Sequence, residues 1–196
     1  AIQAANIVLN RIDAITDMDD ATKKTRKGEV KFIRALVYFN LVRLYGDVPL
    51  VIKETVDPTD YFGQGRAPAS EVYTQIIADL TQAAEELPNI NEIGRATAGA
   101  ANTLLGKVQL TNGNPLAAID ALRAVTGYSW ITNYSDLFGI ANENNAASIF
   151  EVQFQSGVNG NSEGSKFATL FTAQSNPGSK GNNLPTQDLS DSFEPG

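Results

Sequence analysis

At 196 residues the chain has the length of one domain and enough material for a core, and 42% apolar with 19% charged residues is the balance of a globular protein. With 15 basic against 22 acidic residues, the formal charge of −7 argues against a nucleic-acid surface, and no apolar run reaches the roughly 20 residues that span a bilayer. The sequence contains no Cys and no His, which excludes thiol chemistry, zinc-type metal sites and histidine triads from this segment.

The chain opens Ala1-Ile2-Gln3, without an initiator Met or a basic-then-apolar leader. A helical stripe of Ile2, Ala5, Val8, Leu9, Ile12 and Ile15 is already running there, so the expectation is an internal segment of a longer chain. A second stripe from Arg26 to Tyr45 reads Val30, Ile33, Val37, Leu41 and Leu44, widened by Leu36. Gly46-Asp47-Val48-Pro49 stops it, because Gly suits a helix C-terminus and Pro cannot continue one. Residues 50–67, rich in Asp, Pro and Gly, read as a long loop. Ser70 is the expected N-cap of a helix carrying Val72, Ile76, Leu80, Ala83 and Leu87, which stops at Pro88. Another helix pair follows, from Ala96 to Leu110 and from Leu116 to Val125. Its turn is Asn112-Gly113-Asn114-Pro115, with Pro115 at the first helical position.

Beyond Gly127 the apolar period changes. Phe150, Val152 and Phe154 alternate with Glu151, Gln153 and Gln155, predicting a short strand near 149–155 with one buried face. Residues 156–166 and 173–186 are Asn/Gly/Ser-rich loops, and Leu189 with Phe193 marks a last short helix.

Helix pairs of this length invite comparison with tetratricopeptide repeats. Leu105-Gly106, Ala118 and Leu122 fall at that repeat's spacings, with Gln109 in place of its aromatic residue, and Ile76, Leu80, Ala83 and Pro88 match the register of a repeat's second helix, whose first helix would be Arg26–Tyr45. The fold class predicted is all-α: stacked helical hairpins of tetratricopeptide-like type, an α/α superhelix, with irregular loops and a short strand in the C-terminal third. One helical-repeat domain is expected over 1–196, with its helical core at 1–126 and a loop-rich part at 127–196.

Three stretches together carry a family resemblance. The first runs from Gly28 to Leu50 and ends Tyr45-Gly46-Asp47-Val48-Pro49. The second joins Arg66-Ala67-Pro68, Glu71-Val72-Tyr73, Ile76 to Leu80 and Leu87-Pro88 to Gly94-Arg95-Ala96-Thr97. The third is Tyr134 to Phe138 followed by Ser148 to Phe154. In order and spacing they resemble the SusD/RagB family of nutrient-binding proteins. The resemblance implies non-catalytic capture of glycans at a bacterial cell surface, for uptake through a SusC-like TonB-dependent transporter. It also implies a surface-exposed outer-membrane lipoprotein, associated with the membrane only through a lipid anchor absent from this segment. Peptides or other nutrients bound in the same way, or a helical-repeat scaffold for a protein partner, are the alternatives. No cofactor is implied, and the family's ligand residues lie in poorly shared loops that cannot be carried over.

Sugar sites combine aromatic platforms with planar amide, carboxylate and guanidinium groups. The loop from Asp60 to Arg66 offers that mixture, and Tyr61, Phe62, Gln64 and Arg66 are the candidate ligand contacts; the competing reading is that the two aromatics pin an overlong loop to the helices. Trp130 reads as structural, because Tyr128, Ile131 and Tyr134 around it suggest packing and because the family resemblance places an aliphatic residue there. Asp17, Asp19 and Asp20 lack EF-hand spacing and read as helix-end capping. Adjacent Glu85 and Glu86 do not share a helix face as paired catalytic carboxylates would, and Arg34 and Arg43 are expected to pair with buried carboxylates or carbonyls. No catalytic or metal-binding constellation emerges.

Overall fold

The predicted stripes fold as helices in a computed structural model of the chain, which describes residues 1–57, 59, 60, 63–158 and 161–163. Two compact units divide the chain, Ala1–Glu151 and Val152–Gly196. In the first, α1 (Ile2–Arg11), α2 (Asp20–Tyr45), α3 (Ala69–Glu86), α4 (Ala98–Thr111) and α5 (Pro115–Arg123) follow one another, with a short 3₁₀ turn at Ile12–Ala14. Each helix packs on the next in sequence, and the architecture is the expected all-α, tetratricopeptide-like one.

Local chemistry sets the helix ends. Asp19 caps α2 by accepting from the Thr22 backbone N–H at 2.9 Å and its hydroxyl at 2.7 Å, and these bonds, the hydroxyl's first, hold its carboxyl below the ordinary carboxylate range. Thr97 caps α4 by accepting from Ala100 N–H at 3.1 Å. Ser70 is not the cap of α3: it lies within the first turn, and Pro68 precedes the helix. Asp47, from the far side of the loop, accepts the Ala69 N–H at 2.8 Å instead. The same turn closes the loop base, because the buried Val48 accepts the Ala67 N–H at 2.9 Å.

The buried faces match the expected stripe in α3 and depart from it in α2. Val72, Ile76, Leu80 and Ala83 are fully buried in α3. In α2 the buried residues are Phe32, Ala35, Tyr38, Phe39 and Val42, with Gly28, Glu29, Lys31 and Arg34 beside them, while Ile33 and Leu44 are exposed. The face was displaced because aromatic and paired charged groups, not the aliphatics, meet α1 and α3. Arg34 makes a bidentate pair with Asp79, Nε to Oδ2 at 2.8 Å and Nη2 to Oδ1 at 2.7 Å, and reaches Asn6 Oδ1 at 2.8 Å. Asn6 in turn donates to the Val51 and Lys53 carbonyls. One polar cluster thus ties α1, α2, α3 and the start of the loop together. Arg43 lies over the Phe39 ring at 4.3 Å and donates to the Asn40 side chain.

The 46–67 connection is pinned by more than this cluster. The Tyr38 hydroxyl donates to Val51 O at 2.9 Å and accepts from Val51 N–H at 2.7 Å. Gln3 exchanges two hydrogen bonds with the Thr55 backbone, and Arg11 pairs with Glu54. At the other end of the stack, a Cβ on Gly106 would sit 2.6 Å from Leu122 Cγ and 3.3 Å from Ala118 O. Gly106, Ala118 and Leu122, all taken from the repeat spacing, therefore meet where α4 packs closely on α5.

Residues 149–154 do not form the predicted strand. Phe150 turns onto the Phe32 ring, edge to face at 5.0 Å, while Val152 and Phe154 are exposed. An alternating segment becomes a half-buried strand only beside a partner. The pairing formed lies further on, in the second unit, where β1 (Gln155–Val158) runs antiparallel to β2 (Asn161–Glu163) with an irregular register. The expected loop at 173–186 and helix at Leu189 and Phe193 lie outside the described residues.

Candidate functional site

Of the loop residues singled out from sequence, Tyr61 and Phe62 lie outside the described residues. The Gln64 amide donates to Leu50 O at 3.2 Å, and Arg66 is exposed. Asp60 accepts from the backbone N–H groups of Val56 and Asp57, so its carboxylate shapes the loop. Glu86 pairs with Lys31 at 2.5 Å, and the acidic cluster contributes the Asp19 cap. Among the described residues no group of three or more His, Cys, Asp or Glu side chains could hold a metal ion.

A different surface is assembled at the start of α4. Pro88 ends the α3 turn, and the connection through Asn89–Thr97 forms one wall of a groove of about 380 Å³. Residues 126–128, Asn144 and residues 148–151 form the rest. Tyr128 is the keystone. Its hydroxyl meets Thr97 Oγ1 at 3.0 Å, and its ring covers Gly99 so closely that a Cβ there would lie 2.5 Å from the hydroxyl oxygen and 2.7 Å from a ring carbon. Ser129 N–H donates to Ala146 O at 2.9 Å, which straps the two irregular stretches together, and Phe150 anchors the second to α2.

The groove's charged groups are bonded within the protein. Arg95 donates from Nε to Glu92 Oε2 at 2.7 Å and from Nη1 to Glu29 Oε2 at 2.9 Å. These partners, Glu92 first, raise the guanidinium pKa further. Asn91 bridges Glu29 Oε1 and the Ala96 carbonyl. Both Glu151 carboxylate oxygens accept the Asn144 N–H at 3.1 Å.

Tyr128 and Ile149 also line an adjoining hollow of about 290 Å³, shared with Ser129, Trp130 and Ala147. Trp130, expected to pack, is 98% exposed within these 196 residues. Tyr128 occupies the inward position that Gly99 leaves open, and Trp130, two residues on, faces outward. Tyr134 does not surround it either, stacking edge to face on Phe138 at 5.2 Å with both rings exposed. An accessible indole beside a shallow groove of mixed polar and apolar lining can cover the apolar face of a ring-shaped ligand, while amides and hydroxyls on the wall meet its polar edge. Sequence reasoning missed this surface because its walls are far apart in the chain. The one local signal was Asn89-Ile90-Asn91-Glu92-Ile93, where Ile90 and Ile93 stand exposed in a loop.

Comparison with known proteins places the arrangement in context. A SusD-like protein of Formosa agariphila is 28% identical over 168 residues, covering 83% of this chain and 32% of that protein. The starch-binding protein SusD of Bacteroides thetaiotaomicron is 27% identical, covering 72% of this chain and 26% of its own length. A solved laminarin-binding SusD-like protein superposes with a TM-score of 0.75 at 35% identity, over 79% of this chain and 36% of that one. The chain thus spans about a third or less of the length of these relatives. The SusD-like family model, described as starch-binding and associating with the outer membrane, matches residues 1–110, and the chain belongs to that family.

Proposed function

We propose that this chain is part of a non-catalytic receptor that captures glycans at the bacterial surface and passes them to a SusC-like TonB-dependent transporter. The reading places the whole protein on the outer membrane as a surface-exposed lipoprotein. The observation that carries it is the fully exposed Trp130 beside a hydrogen-bonding groove, in a chain whose family is described as starch-binding. The names of the relatives that bind starch and laminarin support glycans over peptides. The loop residues Tyr61, Phe62, Gln64 and Arg66 are a second proposed contact.

Isothermal titration of the full-length protein against neutral and charged oligosaccharides and a peptide mixture tests the reading. Binding to at least one glycan, without turnover, is the expected result. The 196-residue segment alone should bind the same glycan more weakly, since a partial site surrounds a sugar on fewer sides. Binding of peptides and no glycan would contradict the reading and favour the peptide receptor.

A further inference from the structure

We propose that residues 50–55 are bound as an internal peptide ligand, and that α1 and α2 form beneath them a site for an extended polypeptide segment carrying an acidic side chain. The inference goes beyond the glycan-capture reading and does not rest on it. Among the described residues, every hydrogen bond to the backbone of 50–55 comes from a side chain and none from another backbone group. Two side chains take the place of a neighbouring strand. The Gln3 amide donates to Thr55 O at 2.9 Å and accepts the Thr55 N–H at 3.1 Å. The Tyr38 hydroxyl does the same at Val51, at 2.9 and 2.7 Å. Between them the buried Asn6 amide donates to Val51 O at 3.0 Å and to Lys53 O at 2.9 Å. Carbonyls two residues apart that face one amide have the period of an extended chain. Arg34 Nη1 meets Ile52 O at 3.2 Å. The pattern is that of strand addition, with helix side chains standing in for the sheet edge.

These bonds read peptide groups, which every sequence shares, so selectivity falls to the side chains. Glu54 supplies it: its side chain is 8% exposed and pairs with Arg11, Nε to Oε2 at 2.9 Å. Leu50 adds an apolar anchor against the helical core. The receiving groups are set by the helices themselves. Asn6 Oδ1 accepts from Arg34 Nη1 at 2.8 Å, and Asp79 holds the Arg34 guanidinium from the other side. With the segment lifted away, these donors stay in place, and such preorganisation limits the ordering entropy that a replacement ligand must overcome. Lifting it breaks no helix or sheet ladder, which makes the segment a unit that opens by itself. A helical stack with such a site is suited to hold an extended stretch of a partner protein.

The experiment uses the full-length protein and a variant of it in which residues 50–55 are replaced by alternating Gly and Ser. In the unmodified protein, hydrogen exchange resolved by fragmentation mass spectrometry should release the Val51 and Thr55 amides at least about a hundredfold faster than Ile76 and Leu80 in α3. Gln3→Leu should speed exchange at Thr55 about tenfold and leave Ile76 unchanged. A synthetic peptide of residues 49–56 should bind the replaced variant in isothermal titration. The same peptide should not bind the unmodified protein, whose site is filled. N-methylation of the peptide at Thr55 should weaken binding about tenfold, and Glu54→Gln in the peptide about threefold. N-methylation at Glu54, whose N–H makes none of the bonds above, should change little. Val51 and Thr55 exchanging only together with the α3 core overturns the proposal, and this arm decides the matter if the replaced variant fails to fold. A peptide that does not bind the folded variant, or that binds the unmodified protein equally well, overturns it too. Binding that tolerates N-methylation at Thr55 overturns the reading of backbone groups, and binding indifferent to Glu54→Gln overturns the acidic preference. Each of these failures leaves glycan capture standing.

Discussion

Arg34 shows how a single residue organises this fold. Its guanidinium is buried and bonded to Asp79, Asn6 and the Ile52 carbonyl, so removing it strands a buried carboxylate and orphans an amide oxygen. Arg34→Met should therefore cost about 3–5 kcal/mol by denaturant midpoint, whereas Arg34→Met with Asp79→Leu should lose less than the single change. A double variant as unstable as the sum of the two singles would show the pair to be independent. That Arg34 pairs was legible in the sequence, because a cation on an otherwise apolar helix must find a partner. Which aromatic turns inward near residue 130 was not legible. Irregular backbone has no period, and the space for Tyr128 is set by the missing side chain of Gly99, 29 positions earlier in the chain.

At the scale of elements, the helices were legible because the stripe and the stop signals agreed. α3 buries the residues its spacing indicated. α2 misled because Phe39, together with Tyr38 and Arg34, whose polar groups are satisfied by the 51–52 backbone and by Asp79, outweighs the aliphatic stripe. The cap of α3 was missed for a different reason: Asp47 is 22 residues from the N–H it accepts. Asp47→Ala should destabilise the unit by about 1 kcal/mol and increase amide exchange at Ala69, with Ser70→Ala close to neutral. The reverse order of effects would restore Ser70 as the cap. The strand expected at 149–155 failed because alternation alone supplies no partner, and Phe150 spends its apolar face on Phe32 instead.

At the scale of the molecule, the order of the helical stack was readable because each helix meets its sequence neighbour, and Gly106, Ala118 and Leu122 mark one such meeting. The groove was not readable, since its walls come from residues 89–97, 126–128, 144 and 148–151 and only tertiary packing brings them together. The loop at 60–66, chosen from composition, contributes in its described part a backbone contact through Gln64 and an exposed Arg66. The central claim is that a glycan is received at the surface around Tyr128 and Trp130. A crystal structure of the full-length protein with its tightest-binding oligosaccharide tests it most directly. The account predicts a pyranose ring lying flat on the Trp130 indole, with hydroxyls directed to the Asn89, Thr126 and Ser148 wall. A sugar seated elsewhere, with Trp130 buried beneath other parts of the protein, would contradict it.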